Sequence, residues 1–359
     1  MLQKDLENVN PDAFATALAG ELARRHEKFL TGLETYRSHP FRRDLTAPPA
    51  IWEVGPTKLL DYGATSTAGA AGHPVLVIPS LVNRSYILDL AEQHSFLRFL
   101  ASRGLRPLLI DWGTPGPAEL ERSLGDYISG DISSVLSVAV EIAGGRPVPV
   151  IGYCMGGTLA AGLAVLSPDQ ISALVLLAAP WDFHVGTNGP PAAITAGGAA
   201  LEAMITTTGC LSVEALQSMF FSLDPLQGWT KFRAFADIPA DDPAAESFVA
   251  LEDWLNDGVP LAADVARECL FGWYGDNTPA TGNWSVSGQI VDPACIACPT
   301  LGIIPAQDRI VPPASAQALI NAIPGAESLS PQAGHIGMMV GRRAEAQLWR
   351  PLVDWLEAR

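Results

Sequence analysis

Residues 150–158 read Val-Ile-Gly-Tyr-Cys-Met-Gly-Gly-Thr, and this stretch decides the fold. The apolar run at 148–151 reads as a buried strand ending at Gly152, and a helix is expected over 158–166. Small residues two positions before and after Cys154 suit a sharp strand-to-helix turn, where backbones crowd and a Cβ would collide. Such a turn exposes the sulfur at the end of the strand, against the positive end of the following helix. That field favours the thiolate, the nucleophilic form. A buried structural cysteine in a glycine-rich turn is the alternative, and five residues alone do not separate the two.

Outward from this turn, short apolar strands alternate with helices. Strands are expected at 51–54, 75–79, 107–111, 148–152, 173–179, 300–305 and 327–330. Helices are expected at 12–36, 87–103, 129–143, 158–166, 314–322 and 344–357. Alternation of this kind implies a mostly parallel sheet with helices on both faces. It stops between about 181 and 284, in a stretch rich in Trp, Phe, Met and Gly. Helical patterns at 213–220, 244–255 and 262–271 have no strands between them, as in a mostly helical cap inserted over the sheet's C-terminal edge. The expected organisation is an N-terminal helical and extended segment (1–70), a core (71–182 and 286–359) and a cap or lid (183–285). The helix at 12–36 carries Phe14, Leu18, Leu22, Phe29, Leu30 and Leu33 at helical spacing, and either covers the core or meets a partner.

The 359 residues are 48% hydrophobic and 17% charged, enough for a large core and unlike a disordered chain. A formal net charge of −16 argues against a nucleic-acid binder, though local arginines can still meet an anionic substrate. The first ten residues are polar and lack the pattern of a signal peptide, and no apolar run suffices for a transmembrane segment. Five cysteines, an odd number, fit reduced thiols in a cytoplasmic protein.

A reactive Cys154 needs a base, and the base needs an orienting acid. In the α/β-hydrolase order these are nucleophile, acid and histidine, each on a loop after a strand. Of the six histidines, His335 stands near the C-terminus in Gln-Ala-Gly-His-Ile-Gly, after the expected last strand. A surface-loop histidine is the alternative there. Asp308 follows the best late strand and is the acid candidate, the alternative being a turn aspartate that pairs with Arg309. Oxyanion-stabilising N–H groups are expected from Met155 and from Val82, with Leu81 the near alternative to Val82. The fold class is therefore α/β, an α/β-hydrolase fold with a mostly helical cap insertion.

Four stretches resemble the polyhydroxyalkanoate synthase family, α/β-hydrolase relatives that polymerise hydroxyacyl-CoA with a cysteine. They are the run from Pro79 to Leu90 (Pro-Ser-Leu-Val-Asn-Arg-Ser-Tyr-Ile-Leu-Asp-Leu), the box from Gly152 to Thr158, Gln-Asp-Arg-Ile-Val-Pro from Gln307, and Gly-His-Ile-Gly from Gly334. Trp284-Ser-Val-Ser-Gly288 ahead of Val291-Asp292 is also similar. The resemblance implies that Cys154 accepts the acyl group, with Asp308 as acid and His335 as base. It implies an acyl-CoA substrate with no further cofactor and no metal. It also implies a homodimer or a second synthase subunit, since the N-terminal region is short as in the family's smaller catalytic subunits. A polyester granule surface is a further implied partner. Departures from the family pattern are Leu81, where an aromatic is expected, and Met338-Met-Val-Gly-Arg-Arg343, where an Asn-Pro segment usually follows.

Thiol chemistry favours a thioester substrate, because moving an acyl group from CoA to a cysteine is nearly isoenergetic. A hydroxyl acceptor gives a synthase. Water as acceptor gives a thioesterase, an esterase or an intracellular polyester depolymerase. A non-catalytic paralogue that binds granules or a partner is a third reading, against which the intact Cys154, Asp308 and His335 speak. Candidate substrate contacts are Asn83, Arg84, Tyr153 and Trp181, with Arg84 a candidate for CoA phosphates. Asp182 and His184 are expected near the pocket mouth as a satisfied loop pair, and Tyr86 and Asp89 as structural residues. Cys295 and Cys298 form a Cys-x-x-Cys pair before a strand with no second pair to complete a zinc site, and read as a structural loop. Cys210 and Cys269 read as cap residues.

Overall fold

The computed structural model describes residues 10–186 and 191–359. Residues 1–9, on which the reading of the extreme N-terminus rests, and 187–190 within the expected cap lie outside the described residues. The main sheet has eight strands: β1 (Ala50–Val54), β2 (Thr57–Asp61), β3 (His73–Ile78), β4 (Leu105–Asp111), β5 (Val148–Tyr153), β6 (Ile171–Leu177), β7 (Thr300–Ile303) and β8 (Glu327–Leu329). Their spatial order is β1-β2-β4-β3-β5-β6-β7-β8. β1 pairs antiparallel with β2, and β2 antiparallel with β4; every pair from β4 to β8 is parallel. Parallel strands covered on both faces become continuous apolar runs, and Val150, Ile151, Leu174 and Val175 are wholly buried. β5 is central, so the turn that leaves it is set by neighbours on both sides.

Two compact units are present. The larger holds 45–220 and 254–359 and contains the sheet. The smaller joins the N-terminal helix α1 (Pro11–Ser38) to 221–253. Within the smaller unit, Phe29 stacks on Trp229 at 4.8 Å, and Tyr36 donates its hydroxyl hydrogen to Asp253 at 2.8 Å. Phe235, Ala245 and Val249 form its buried centre. Phe14, Leu18 and Leu22 of α1 stay exposed.

The structure departs from the sequence reading at several points. β1 and β2 lie before the expected core boundary at 71 yet belong to the main sheet, because β2 pairs with β4 from Lys58↔Asp111 to Asp61↔Leu108. The expected helix at 87–103 is broken. A short hairpin, Asp89–Ala91 against His94–Ser95, precedes helix α2 (Phe96–Ser102), and the Ser95 side chain caps that helix by accepting from Arg98 N at 3.1 Å. The Asp89 carboxylate fixes the hairpin. It is fully buried and accepts from Arg98 Nε (2.8 Å), Arg98 Nη2 (3.2 Å) and the Tyr62 hydroxyl (3.1 Å). The cap stretch is not free of strands either, since Cys210–Leu211 pairs antiparallel with Leu261–Ala262.

Helix α3 (Ser133–Ile142) and helix α4 (Met155–Leu166) flank the central strands. α4 buries almost its whole length. Among the described residues no helix is long and apolar enough to cross a membrane.

Candidate active site

At the end of β5 the chain turns at Cys154 with φ 55° and ψ −127°, a conformation that is costly for a residue with a Cβ and is held by its surroundings. Cys154 N donates to Leu177 O at 2.8 Å, and Gly157 N donates to Cys154 O at 2.8 Å. The flanking glycines are sterically required. A Cβ on Gly152 would lie 2.5 Å from Gly157 Cα, and one on Gly156 would lie 2.2 Å from Ile78 O. The half-buried thiol stands at the N-terminus of α4, where unpaired amides and the helix dipole favour negative charge.

The loops after β7 and β8 run side by side. Ile304 N donates to Leu329 O (2.9 Å), Ala306 N to Pro331 O (3.0 Å) and Gln307 N to Ala333 O (3.0 Å). This brings Asp308 and His335 together. His335 Nδ1 donates to Asp308 Oδ2 at 2.7 Å, while Asp308 Oδ1 accepts from Ile310 N and Val311 N at 2.9 Å each. Both residues are buried, at 6% exposure. The imidazole also interacts with the Cys154 side chain. Burial alone lowers the His335 pKa, but the charge on Cys154, the bond to Asp308 and the contact with Cys154 outweigh it and push it up to about 10. Tyr153 stacks on the ring, with centroids 5.3 Å apart and planes at 28°. Burial, then the charges on Cys154 and Asp308, raise its phenol well above the ordinary value and keep it neutral.

Met155 opens α4, so its N–H has no partner within the helix. The loop after β3 lies against the same turn, because Ile78 O and Pro79 O are the atoms that crowd Gly156. Trp112 Nε1 donates to Pro79 O at 3.2 Å and holds that loop. The Val82 N–H donates to Ser80 Oγ at 3.1 Å and is engaged within its own loop. Leu81 is buried in the core.

The other candidates are placed unevenly. Tyr153 meets the histidine directly. Asn83 forms an isolated antiparallel bridge to Gly258. Arg84 Nε donates to Asp257 Oδ1 (3.3 Å) and Nη2 to Thr114 Oγ1 (2.8 Å), so its guanidinium is committed to protein partners. Trp181 is 3% exposed and packs edge-on against Trp284 at 5.8 Å, within the core. Asp182 Oδ1 accepts from His184 N (3.0 Å) and Asn277 Nδ2 (2.9 Å), and Phe183 N donates to Asn277 Oδ1 (3.0 Å). These bonds fasten the loop after β6 to the segment around Tyr274. Cys295 and Cys298 are free thiols, and no group of three or more His, Cys, Asp or Glu is gathered for a metal among the described residues.

Tyr274 was not singled out by sequence. Its backbone carbonyl is 3.0 Å from His184 Nε2 and its ring meets Phe183 edge-on at 4.8 Å. Desolvation of its hydroxyl, then the charges on Cys154 and Cys269, push its phenol up to about 12, although the residue as a whole is 37% exposed. The aromatic richness of 181–284 was the only local signal for it.

Comparison with known proteins follows the same lines. Residues 73–197 match the alpha/beta hydrolase fold family, and 45–100 match the family described as poly-beta-hydroxybutyrate polymerase (PhaC) N-terminus. A poly(3-hydroxyalkanoate) polymerase subunit PhaC from Synechocystis is 30% identical over 344 residues, covering 93% of this chain and 91% of the relative. Subunits of the same name from Allochromatium vinosum and Thiocystis violacea are each 31% identical, covering 80% and 84% of this chain and 81% and 86% of the relative. Among solved structures, BpoC from Mycobacterium tuberculosis superposes with a TM-score of 0.51 at 18% identity, covering 80% of this chain and 92% of that one. At that identity the likeness shows the α/β-hydrolase fold.

Proposed function

From a chain that belongs to the family of poly(3-hydroxyalkanoate) polymerase PhaC subunits, we propose an acyltransferase in which Cys154 carries the acyl group of a 3-hydroxyacyl-CoA to a hydroxyl acceptor. The observation that carries this reading is the 2.7 Å bond from His335 Nδ1 to Asp308 Oδ2, on a ring that also meets Cys154 at its strained turn. Asp308 holds His335 in the tautomer whose Nε2 takes the Cys154 proton. The thiolate attacks the thioester carbonyl, and the Met155 N–H receives the oxyanion together with the N–H of Leu81, or that of Val82 once it leaves Ser80 Oγ. CoA leaves as a thiolate and takes its proton from the imidazolium. The acceptor hydroxyl then gives its proton to His335 as its oxygen attacks the acyl-enzyme. An ester forms and the Cys154 thiolate is regenerated.

Tyr153 stacked on the imidazole suits a site that keeps water from the acyl-enzyme. We read the larger unit's part of 183–285 as the cap over this site. A cytoplasmic location fits an acyl-CoA substrate.

The test is to incubate the protein with 3-hydroxybutyryl-CoA and follow CoA release together with product size. Oligomers that lengthen as CoA is released are expected, with release abolished in Cys154→Ala. Free 3-hydroxybutyrate without oligomers would replace the acyltransferase with a hydrolase. Undiminished release in Cys154→Ala would remove the thiol from the chemistry.

A further inference from the structure

An open groove of about 250 Å³ lies against the loops that carry Asp308 and His335, reaching Gln307 and Gly334, their sequence neighbours. Arg342 and Arg343 stand exposed at its wall, with Gln332 and Gln347 completing the polar lining. Among the described residues no Asp or Glu lines it, although the chain has 38 acidic against 22 basic residues. The wall is partly organised already: Arg343 Nη2 donates to Gln332 O at 3.2 Å, and Gln332 N donates to Gln347 Oε1 at 3.1 Å. The same turn leads into the C-terminal helical segment Glu345–Trp349, which continues as Arg350–Glu357.

A groove with two guanidinium groups in its wall and no acid in its lining is an anion receptor by charge and by donor count. Its volume falls below the roughly 300–1,000 Å³ of pockets that enclose a whole drug-sized ligand, so it fits a small anion or one end of a longer molecule. We propose that this groove binds a phosphate or diphosphate group, with Arg342 and Arg343 as its charged donors. Two sources share this chemistry: the phosphorylated end of a CoA thioester, and a free phosphate compound. Only the CoA source rests on the acyl-CoA reading above.

The full chain is titrated calorimetrically with pyrophosphate, then with CoA, at low ionic strength. Saturable pyrophosphate binding is expected, weakened about tenfold or more in the Arg342→Gln, Arg343→Gln double variant through loss of charge-assisted bonds. The double Lys variant should retain most of the affinity, and thermal melts check that both variants remain folded. If CoA competes with pyrophosphate and loses affinity in the same Gln variant, the phosphate is that of CoA. If CoA and pyrophosphate bind together, the ligand is a free phosphate compound. Pyrophosphate binding that is absent, or equal in the wild type and the Gln variant, overturns the proposal. Pyrophosphate does not engage Cys154, so this failure is distinct from a failure of the acyltransferase reading.

Discussion

Replacing Asp308 with Asn isolates what the carboxylate does for the histidine. The side chain keeps its shape, and Asn Oδ1 can still accept from Ile310 N and Val311 N, which lie 2.9 Å from Asp308 Oδ1. The fold is therefore expected to survive. What changes is the atom that faces His335 Nδ1 at 2.7 Å, where an acceptor becomes an NH2 donor. The imidazole must then accept at Nδ1 and carry its proton on Nε2, the wrong tautomer for receiving a proton from Cys154. In a serine triad the same exchange costs about 10⁴-fold in kcat. A thiol needs its base less, since a few per cent of a free cysteine is ionised near neutrality. The expected loss is thus about 10³-fold at pH 7, about 4 kcal/mol at 1.36 kcal/mol per tenfold. It should shrink as the pH rises and hydroxide takes over deprotonation of the thiol. The assay is initial CoA release from 3-hydroxybutyryl-CoA between pH 6.5 and about 9.5, a span that brackets an ordinary thiol pKa, with thermal melts alongside. A loss below tenfold, with an unchanged pH profile, would refute the orienting role.

Three further outcomes follow from the geometry. The raised pKa of His335, about 10 against an ordinary 6.5, means that its stabilisation is whole below about pH 6.5 and lost as the pH rises through about 10. Cys154→Ala removes the main raising charge and leaves burial to act, so the imidazole midpoint followed by NMR should fall; equal midpoints in both proteins would contradict the pairing. Asp89→Asn breaks a buried ion pair with Arg98 and should cost about 3 kcal/mol in urea unfolding, whereas a change under about 0.5 kcal/mol would show a solvated pair. Gly156→Ala puts a Cβ 2.2 Å from Ile78 O and should destabilise by about 3 kcal/mol or more, and a melting temperature equal to wild type would mean that the turn is looser than described.

The turn at Cys154 was readable because its requirements are local: a buried strand, small residues at fixed offsets and a helix start. Asp308 and His335 were placed by the same logic, each on a loop after a strand, and the structure joins them at 2.7 Å. What sequence could not reveal depends on distant partners. β2 enters the sheet by pairing with β4 some fifty residues on. The helix expected at 87–103 broke because Asp89 is held by Tyr62 and Arg98, a bond that no periodicity encodes. The grouping of α1 with 221–253 rests on Phe29 against Trp229 and Tyr36 with Asp253, pairs separated by about two hundred residues. The engagement of the Val82 N–H by Ser80, two residues away, was missed for another reason: a serine near a turn has several backbone partners open to it.

The central claim is that the acyl group rests covalently on Cys154. Rapid quenching of the protein with 3-hydroxybutyryl-CoA, followed by peptide mass spectrometry, tests it directly. The account predicts a 3-hydroxybutyryl thioester on the peptide that contains Cys154, formed as fast as CoA is released and lost on treatment with hydroxylamine. Steady CoA release with that peptide unmodified, or with the acyl group on another residue, would contradict it.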